Sequence, residues 1–236
     1  QTAAVLFETI PATAGIVFPP TDFYPTVRDI CDRHGALLML DEVQAGLGRT
    51  GKLWGIDHWG VVPDILVLGK GMSGGIYPLS VVCYREKLDA FFQEHPFIHL
   101  SSFGGAELGC VAALAMLDQI TEPGFLEHVN QMGKRFADGF QRLKAKYPLL
   151  VAGWRQLGLM IGFDLAEESM GPMMTYALGH HGVLAIFADF SRRTMQILPP
   201  LIIQPQEVDE VLAAMDGALD MVAEMVAAGM PAPGIP

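Results

Sequence analysis

The sequence is short of cysteine, of positive charge and of long apolar runs, and each shortage argues against a class of protein. Three cysteines, Cys31, Cys83 and Cys110, lie far apart without paired metal spacing. That argues against a disulfide framework and a thiolate metal site, and reduced core thiols of a cytosolic protein are expected. Lys and Arg number 15 against 26 Asp and Glu, a net charge of -11. With no basic face to neutralise phosphates, neither nucleic acid nor an anionic membrane is an expected partner. No stretch reaches the ~18 to 20 apolar residues of a membrane span, and no basic leader precedes a cleavage site, so the cytoplasm is the expected compartment. His58, His99 and the His180 and His181 pair lack a neighbouring carboxylate pattern. They read as surface or packing residues, and no metal is expected. What the chain does have is 51% hydrophobic residues over 236 positions, enough to bury a core.

One stretch organises the rest. Between Ala36 and Gly75 two short apolar runs occur, Leu37 to Leu40 and Ile65 to Leu68; Asp41 follows the first, and Lys70 follows the second after Gly69. In an open α/β sheet ligands bind in the crevice beyond the carboxyl ends of parallel strands, so an acid and an amine would reach one crevice from two strands. Lys52, Lys87, Lys134, Lys144 and Lys146 sit in polar, helical or loop contexts, whereas apolar residues and glycines frame Lys70. Burial of that kind lowers an amine from its ordinary value of ~10.4, and a neutral amine forms a Schiff base with a carbonyl. Taken singly, each residue also has an ordinary reading: an Asp after a strand caps a turn, and a Lys before glycines is a solvated loop charge.

The remaining pattern is α/β. Val5 to Glu8 reads as a strand, and Thr21 or Asp22 opens a helix with Val27, Ile30 and Cys31 on one face, ended by Gly35. A strand from Ala36 to Leu40 then completes a right-handed βαβ unit, which makes the sheet parallel. Ile76 to Tyr84 is a further strand, with Pro78 marking an edge or irregular start, and Leu88, Phe91 and Phe92 form a helical stripe read as core. Helices with polar residues on one face are expected from Ala106 to Ile120 and from Phe125 to Tyr147, separated by Pro123 and Gly124. After Pro148 come a strand from Leu159 to Leu165, a helix near Thr175 to His181, and short strands around Val183 to Phe187 and Met195 to Leu198. A helix from Glu207 to about Ala228 and a loose tail, AGMPAPGIP, finish the chain. Two domains follow, residues 1–147 and 148–236.

DEVQAGLGRTG, PDILVLGKGMSGG and the later SSFGG together resemble the class III, or omega-type, aminotransferases. The resemblance runs from FETIPATAGIVFPP to ILPPLIIQPQEV, almost the whole chain. It implies the type I fold of pyridoxal-phosphate enzymes: part of the large, mainly parallel-sheet domain, followed by the small C-terminal α/β domain. By the same resemblance Lys70 is the lysine that holds pyridoxal 5′-phosphate as a Schiff base, and Asp41 is the carboxylate facing the pyridine nitrogen. Val43 packs on a ring face, and Gln44 partners the phenolic oxygen. Ser102, where the family usually has Thr, gives its hydroxyl to the phosphate of a neighbouring subunit, which implies a homodimer. The implied substrates are a small-molecule amine and a keto acid. Members of the family carry a comparable length upstream, including a glycine/serine-rich phosphate loop and an aromatic residue that stacks on the ring. Because this chain opens without Met on the extended run TAAVLFE, it is expected to be a C-terminal portion.

Two departures concern the substrate. Members acting on alpha-amino acids or 2-oxoglutarate often carry an Arg just before the PP of the C-terminal domain and a Glu in the loop after the first strand. Here those positions hold Gln196 and Thr13. An amide lacks the charge and fork of a guanidinium, so the usual carboxylate clamp is weakened, although Arg192 and Arg193 lie close by. The expected donor is therefore a diamine, an omega-amino compound or an amino alcohol. HPFIHLSSFGG is similar to putrescine-type members, while GGAE stands where GGNP is commoner. Racemase, decarboxylase or phospho-lyase chemistry on the same fold, and an inactive fragment without the phosphate-binding half, are the alternatives. A P-loop ATPase fits poorly, since GxxxxGK[ST] is absent and Lys70 is followed by Gly71.

Overall fold

The structure, a computed structural model, describes residues 2–231. Contacts divide the chain into two units: Gln1–Ile10, Pro19–Gly48 and Lys52–Leu126 in one, and Pro11–Phe18, Arg49–Gly51 and Glu127–Pro236 in the other. The second unit thus begins before the expected 147/148 division and takes in two loops from the first half of the chain.

In the first unit, strand β1 (Ala4–Glu8) leads through helix α1 (Phe23–His34) to β2 (Leu37–Asp41), and later come β3 (Ile65–Leu68) and β4 (Val81–Tyr84). The sheet order is β1-β2-β3-β4, with the first three strands parallel and β4 antiparallel at the edge. Side chains alternate across a strand, so Leu38 and Leu40 turn to one face. There they are fully buried with Tyr24 and Cys31 of α1 and with Ile56. Leu68 packs in a second cluster with Leu47, Met72, Ala113 and Ile120, the last two from helix α3 (Glu107–Thr121).

Two expectations fail here. Phe91 and Phe92, on the short helix α2 (Asp89–Glu94), are exposed rather than core. Phe92 stacks on Tyr84 of the edge strand at a centroid distance of 5.1 Å and meets Phe91 edge-on at 5.5 Å, and among the described residues no element covers that edge. The outer face of α3 is also apolar instead of polar, with Leu108, Val111 and Leu114 exposed.

The start of β3 is fixed by Asp64, which is 1% exposed. Its Oδ2 accepts the Leu38 backbone N–H at 3.0 Å and Arg28 Nη1 at 2.6 Å, and its Oδ1 pairs with Lys87 Nζ at 2.6 Å. Burial alone would raise this carboxyl, but Lys87, the Leu38 amide and Arg28 outweigh it and hold the pKa down to about 2. A depressed carboxylate stabilises the fold above its unfolded value of 3.8, and that contribution is lost as pH falls through about 2. Asp64→Asn is therefore expected to cost roughly 2 kcal/mol at neutral pH and to flatten the acid limb of the stability curve. Urea unfolding at pH 7 and between pH 2 and 4 checks both, and an unchanged acid limb would refute the assignment.

In the second unit, helix α4 (Phe125–Lys146) precedes an antiparallel sheet of β5 (Val151–Leu157), β6 (Met160–Leu165), β7 (Ile186–Ala188) and β8 (Ser191–Ile197), in the order β5-β6-β8-β7. Trp154, Phe163 and Met195 are register partners and share one face. Phe140 of α4, stacked on Phe136, lies 5.9 Å from Trp154 and 5.0 Å from Phe163, which explains why α4 groups with this sheet. Helices α5 (Met170–His180) and α6 (Pro205–Ala227) pack on each other, and α5 packs on β7 and β8. The expected tail is described only as far as Pro231. Among the described residues no helix is long and apolar enough to cross a membrane.

Candidate active site

Asp41 ends β2 and is paired in register with Val67, three residues before Lys70, so the acid and the amine leave the carboxyl ends of adjacent parallel strands. Asp41 Oδ1 accepts the Val43 N–H at 2.8 Å in a local turn, and among the described residues Oδ2 has no hydrogen-bond partner. Val43 lies close to Gly69, where an added Cβ would meet both Val43 methyls at 3.4 Å. Lys70 Nζ donates to Gln44 Oε1 at 2.6 Å, so two residues 26 positions apart in sequence are joined. Beside the amine is a cleft of about 540 Å³ lined by Lys70, Gly75, Tyr77, Pro78, Leu79 and Ser80. Ser102 is exposed on a turn before α3.

The burial expected of Lys70 is not found; its side chain is exposed. β3 stops at Leu68, and the chain enters a 3-10 helix, Lys70–Ser73, with Lys70 itself at φ 47. The glycines that frame the lysine in sequence have no side chains with which to cover it.

Sequence reasoning missed Glu42. Continuing the alternation of Leu38 and Leu40 puts residue 42 on the buried face, and it is 0% exposed. Its Oε1 accepts Thr9 Oγ1 at 2.9 Å and the Ile56 N–H at 2.6 Å, and its Oε2 accepts the Gly55 N–H at 2.7 Å. Burial raises its pKa although these three donors oppose the shift. The carboxylate thus ties the turn carrying Asp41, Val43 and Gln44 to the end of β1 and to the 3-10 helix Gly55–His58.

Thr13 and Gln196 belong to the second unit. Gln196 is half-buried on β8, its Nε2 donating to the Phe187 carbonyl at 3.5 Å. It is in register with Gly162, which is in register with Arg155, so the three form a row on one face of the sheet. Thr13 is exposed, and its carbonyl accepts the Phe190 N–H at 3.0 Å. Arg155 was also missed. It reaches the carbonyls of Gly15 and Ile16 in the Thr13 loop and the carboxylate of Asp164. Among the described residues no group of three or more His, Cys, Asp and Glu is disposed to hold a metal ion.

An uncharacterized aminotransferase of Archaeoglobus fulgidus is 50% identical over 224 residues, covering 95% of this chain and 53% of that protein. An acetylornithine aminotransferase of Caldanaerobacter subterraneus subsp. tengcongensis is 38% identical, covering 94% of this chain and 54% of its own length. A putrescine aminotransferase of Pectobacterium atrosepticum is 36% identical, with 89% and 45% covered. Among solved structures, a transaminase from the marine bacterium Virgibacillus superposes with a TM-score of 0.87 at 27% identity, over 94% of this chain and 54% of that one. The ornithine aminotransferase of Toxoplasma gondii crystallised with oxidised glutathione, in which PLP partly occupies the active site, gives 0.84 at 30% identity, over 94% and 52%. The chain spans about half the length of the curated relatives it matches. Residues 1–219 match the family described as aminotransferase class-III, and the chain belongs to that family, whose cofactor is pyridoxal 5′-phosphate.

Proposed function

We propose that the protein transfers an amino group from a donor recognised without an alpha-carboxylate, a diamine, an omega-amino compound or an amino alcohol, to a keto acid. When bound, pyridoxal 5′-phosphate supplies an aldehyde that carries the amino group and a ring that accepts electrons. The residues at the first unit's strand ends suit that group: an accessible amine, a carboxylate with one oxygen open, and an amide whose nitrogen is still free to donate. Lys70 would hold the cofactor through Nζ and, once displaced by the donor, use the same atom to carry a proton from the substrate carbon. Asp41 would accept a hydrogen bond from the protonated ring nitrogen, a charge-assisted bond of about 1.5 to 3 kcal/mol. Gln44, now bonded to Lys70, would turn its amide to the phenolic oxygen, and Val43 would bear on the ring. Ser102 would donate to the phosphate of a second copy in a homodimer.

The donor class rests on one observation: the row holding Gln196 offers no free guanidinium. Arg155, its only cation, is engaged by Asp164 and two carbonyls. Arg193 alternates to the opposite face, and Arg192 lies over the Phe187 ring at 5.2 Å. A putrescine aminotransferase among the relatives supports a diamine, while an acetylornithine aminotransferase stands beside it. Initial rates of the holoenzyme with putrescine, beta-alanine and glutamate test it. Putrescine or beta-alanine is expected to exceed glutamate by about tenfold or more, and Gln196→Arg combined with Thr13→Glu to narrow that gap. A preference for glutamate in the parent would reject this donor class.

A further inference from the structure

We propose that Arg155 is the positioning residue of the loop that carries Thr13: by gripping two loop carbonyls, its guanidinium sets where Thr13 stands on the sheet face that carries Gln196. The roles of Thr13 and Gln196 in donor recognition rest on the reading above. The grip itself is a matter of geometry.

The loop Pro11–Phe18 is held at two points. Near its start, the Thr13 carbonyl accepts the Phe190 N–H at 3.0 Å, from the turn between β7 and β8. Further on, Arg155 Nε donates to the Ile16 carbonyl at 2.8 Å, and Nη2 donates to the Gly15 carbonyl. Between these points the backbone takes an unusual course. Gly15 has φ 104 and Ile16 has φ 54, although Ile16 is β-branched and 0% exposed. A branched residue keeps such a conformation only where its surroundings impose it. Gly162, the middle member of the row from Arg155 to Gln196, provides the space, since a Cβ there would lie 3.2 Å from the Gly15 carbonyl oxygen and 3.3 Å from Ile16 Cβ. The loop backbone therefore lies directly on the row that holds Gln196.

Arg155 is itself fixed. Its Nη1 donates to Asp164 Oδ2, while Asp164 Oδ1 accepts Thr194 Oγ1 at 2.7 Å, and Thr194 Oγ1 lies 2.9 Å from Ser191 Oγ. A guanidinium spans a carboxylate and two carbonyls with one planar fork, which a single ammonium cannot do. Loosening this grip is expected to move the recognition loop, whose residues take no part in the hydrogen bonds that join Asp41 to Val43 and Lys70 to Gln44. The consequence is a loss of donor binding with little loss of chemistry.

The test is Arg155→Lys in the holoenzyme, with steady-state kinetics on putrescine and hydrogen exchange of the backbone amides of residues 15–17, which bond to Pro11 and Ala12 carbonyls. The expected result is KM for the amine raised by about tenfold, kcat within about threefold, and exchange at those amides faster by about tenfold. The milder Thr194→Val, which frees one oxygen of Asp164, is expected to fall between parent and Arg155→Lys, and it decides the matter if Arg155→Lys does not fold. Unchanged exchange at residues 15–17, or a fall in kcat at constant KM, would overturn the proposal. A parent that turns over no amine would count against the donor reading alone, because the exchange comparison still judges the grip.

Discussion

Lys70→Ala is expected to lower the rate of amine transfer by about 10³-fold or more, with melting temperature close to that of the parent. The size follows from the two tasks given to one nitrogen, holding the cofactor and moving the proton, for which no other described lysine is placed at a strand end. Stability should change little because Lys70 is exposed and its one hydrogen bond, to Gln44, has a partner that water can replace. Borohydride treatment of the parent holoenzyme followed by mass measurement should find the added mass on the peptide containing Lys70, and Lys70→Ala should show none. Mass on another lysine, or a variant retaining more than about a tenth of the parent rate, would remove Lys70 from the mechanism.

Glu42 carries the second large expectation, and here the effect falls on the fold that supports the site. Glu42→Ala strands three buried donors, the Thr9 hydroxyl and the Gly55 and Ile56 amides. At about 1 to 3 kcal/mol for each unsatisfied group, a loss of roughly 4 kcal/mol is expected. That is a large part of the 5 to 15 kcal/mol typical of a whole domain. Glu42→Gln keeps the shape but has one acceptor oxygen where two amides converge, and should cost about 2 kcal/mol. The pH dependence separates charge from shape. Because burial raises the folded pKa, the unfolded chain ionises first, so Glu42 favours the fold most below its ordinary value of 4.5. This contribution is lost as pH rises through the folded value, opposite in direction to that of Asp64. Urea unfolding at several pH values from 4 upward should therefore show a declining contribution in the parent that is absent in Glu42→Gln. Equal slopes in the two proteins would refute the assignment to Glu42.

Asp41 and Lys70 were legible as strand ends: an apolar run of four residues followed at once by an acid, or after one glycine by an amine, marks where a buried strand stops, although that acid also caps a turn and that amine is exposed. The parallel order of β1, β2 and β3 followed from the same spacing. β5 was not legible, since VAGWRQL sets a glycine and an arginine where an apolar alternation would be sought. Its arginine is satisfied by carbonyls 139 and 140 positions away, a solution that no local window contains. Helix α5 was expected near Thr175 but begins at Met170, because Gly171 and Pro172 imitate a loop although proline is tolerated in a helix's first turn. Phe91 and Phe92 carry a core-like pattern on an uncovered edge, and periodicity cannot tell which face of a helix meets a neighbour. Glu42 was within reach: the parity that buries Leu38 and Leu40 places an acid inside, and a buried acid needs donors.

The left-handed backbone at Lys70 sets durability against usefulness at a single residue. Any side chain there stands about 1 to 2 kcal/mol above glycine, which takes φ 47 at no steric cost. Glycine at 70 would ease the main chain and, on the role proposed for Lys70, silence the site in one step. Selection that rewards heat resistance alone would thus discard the amine early, and variants hardened in that way need a turnover assay beside every melting curve.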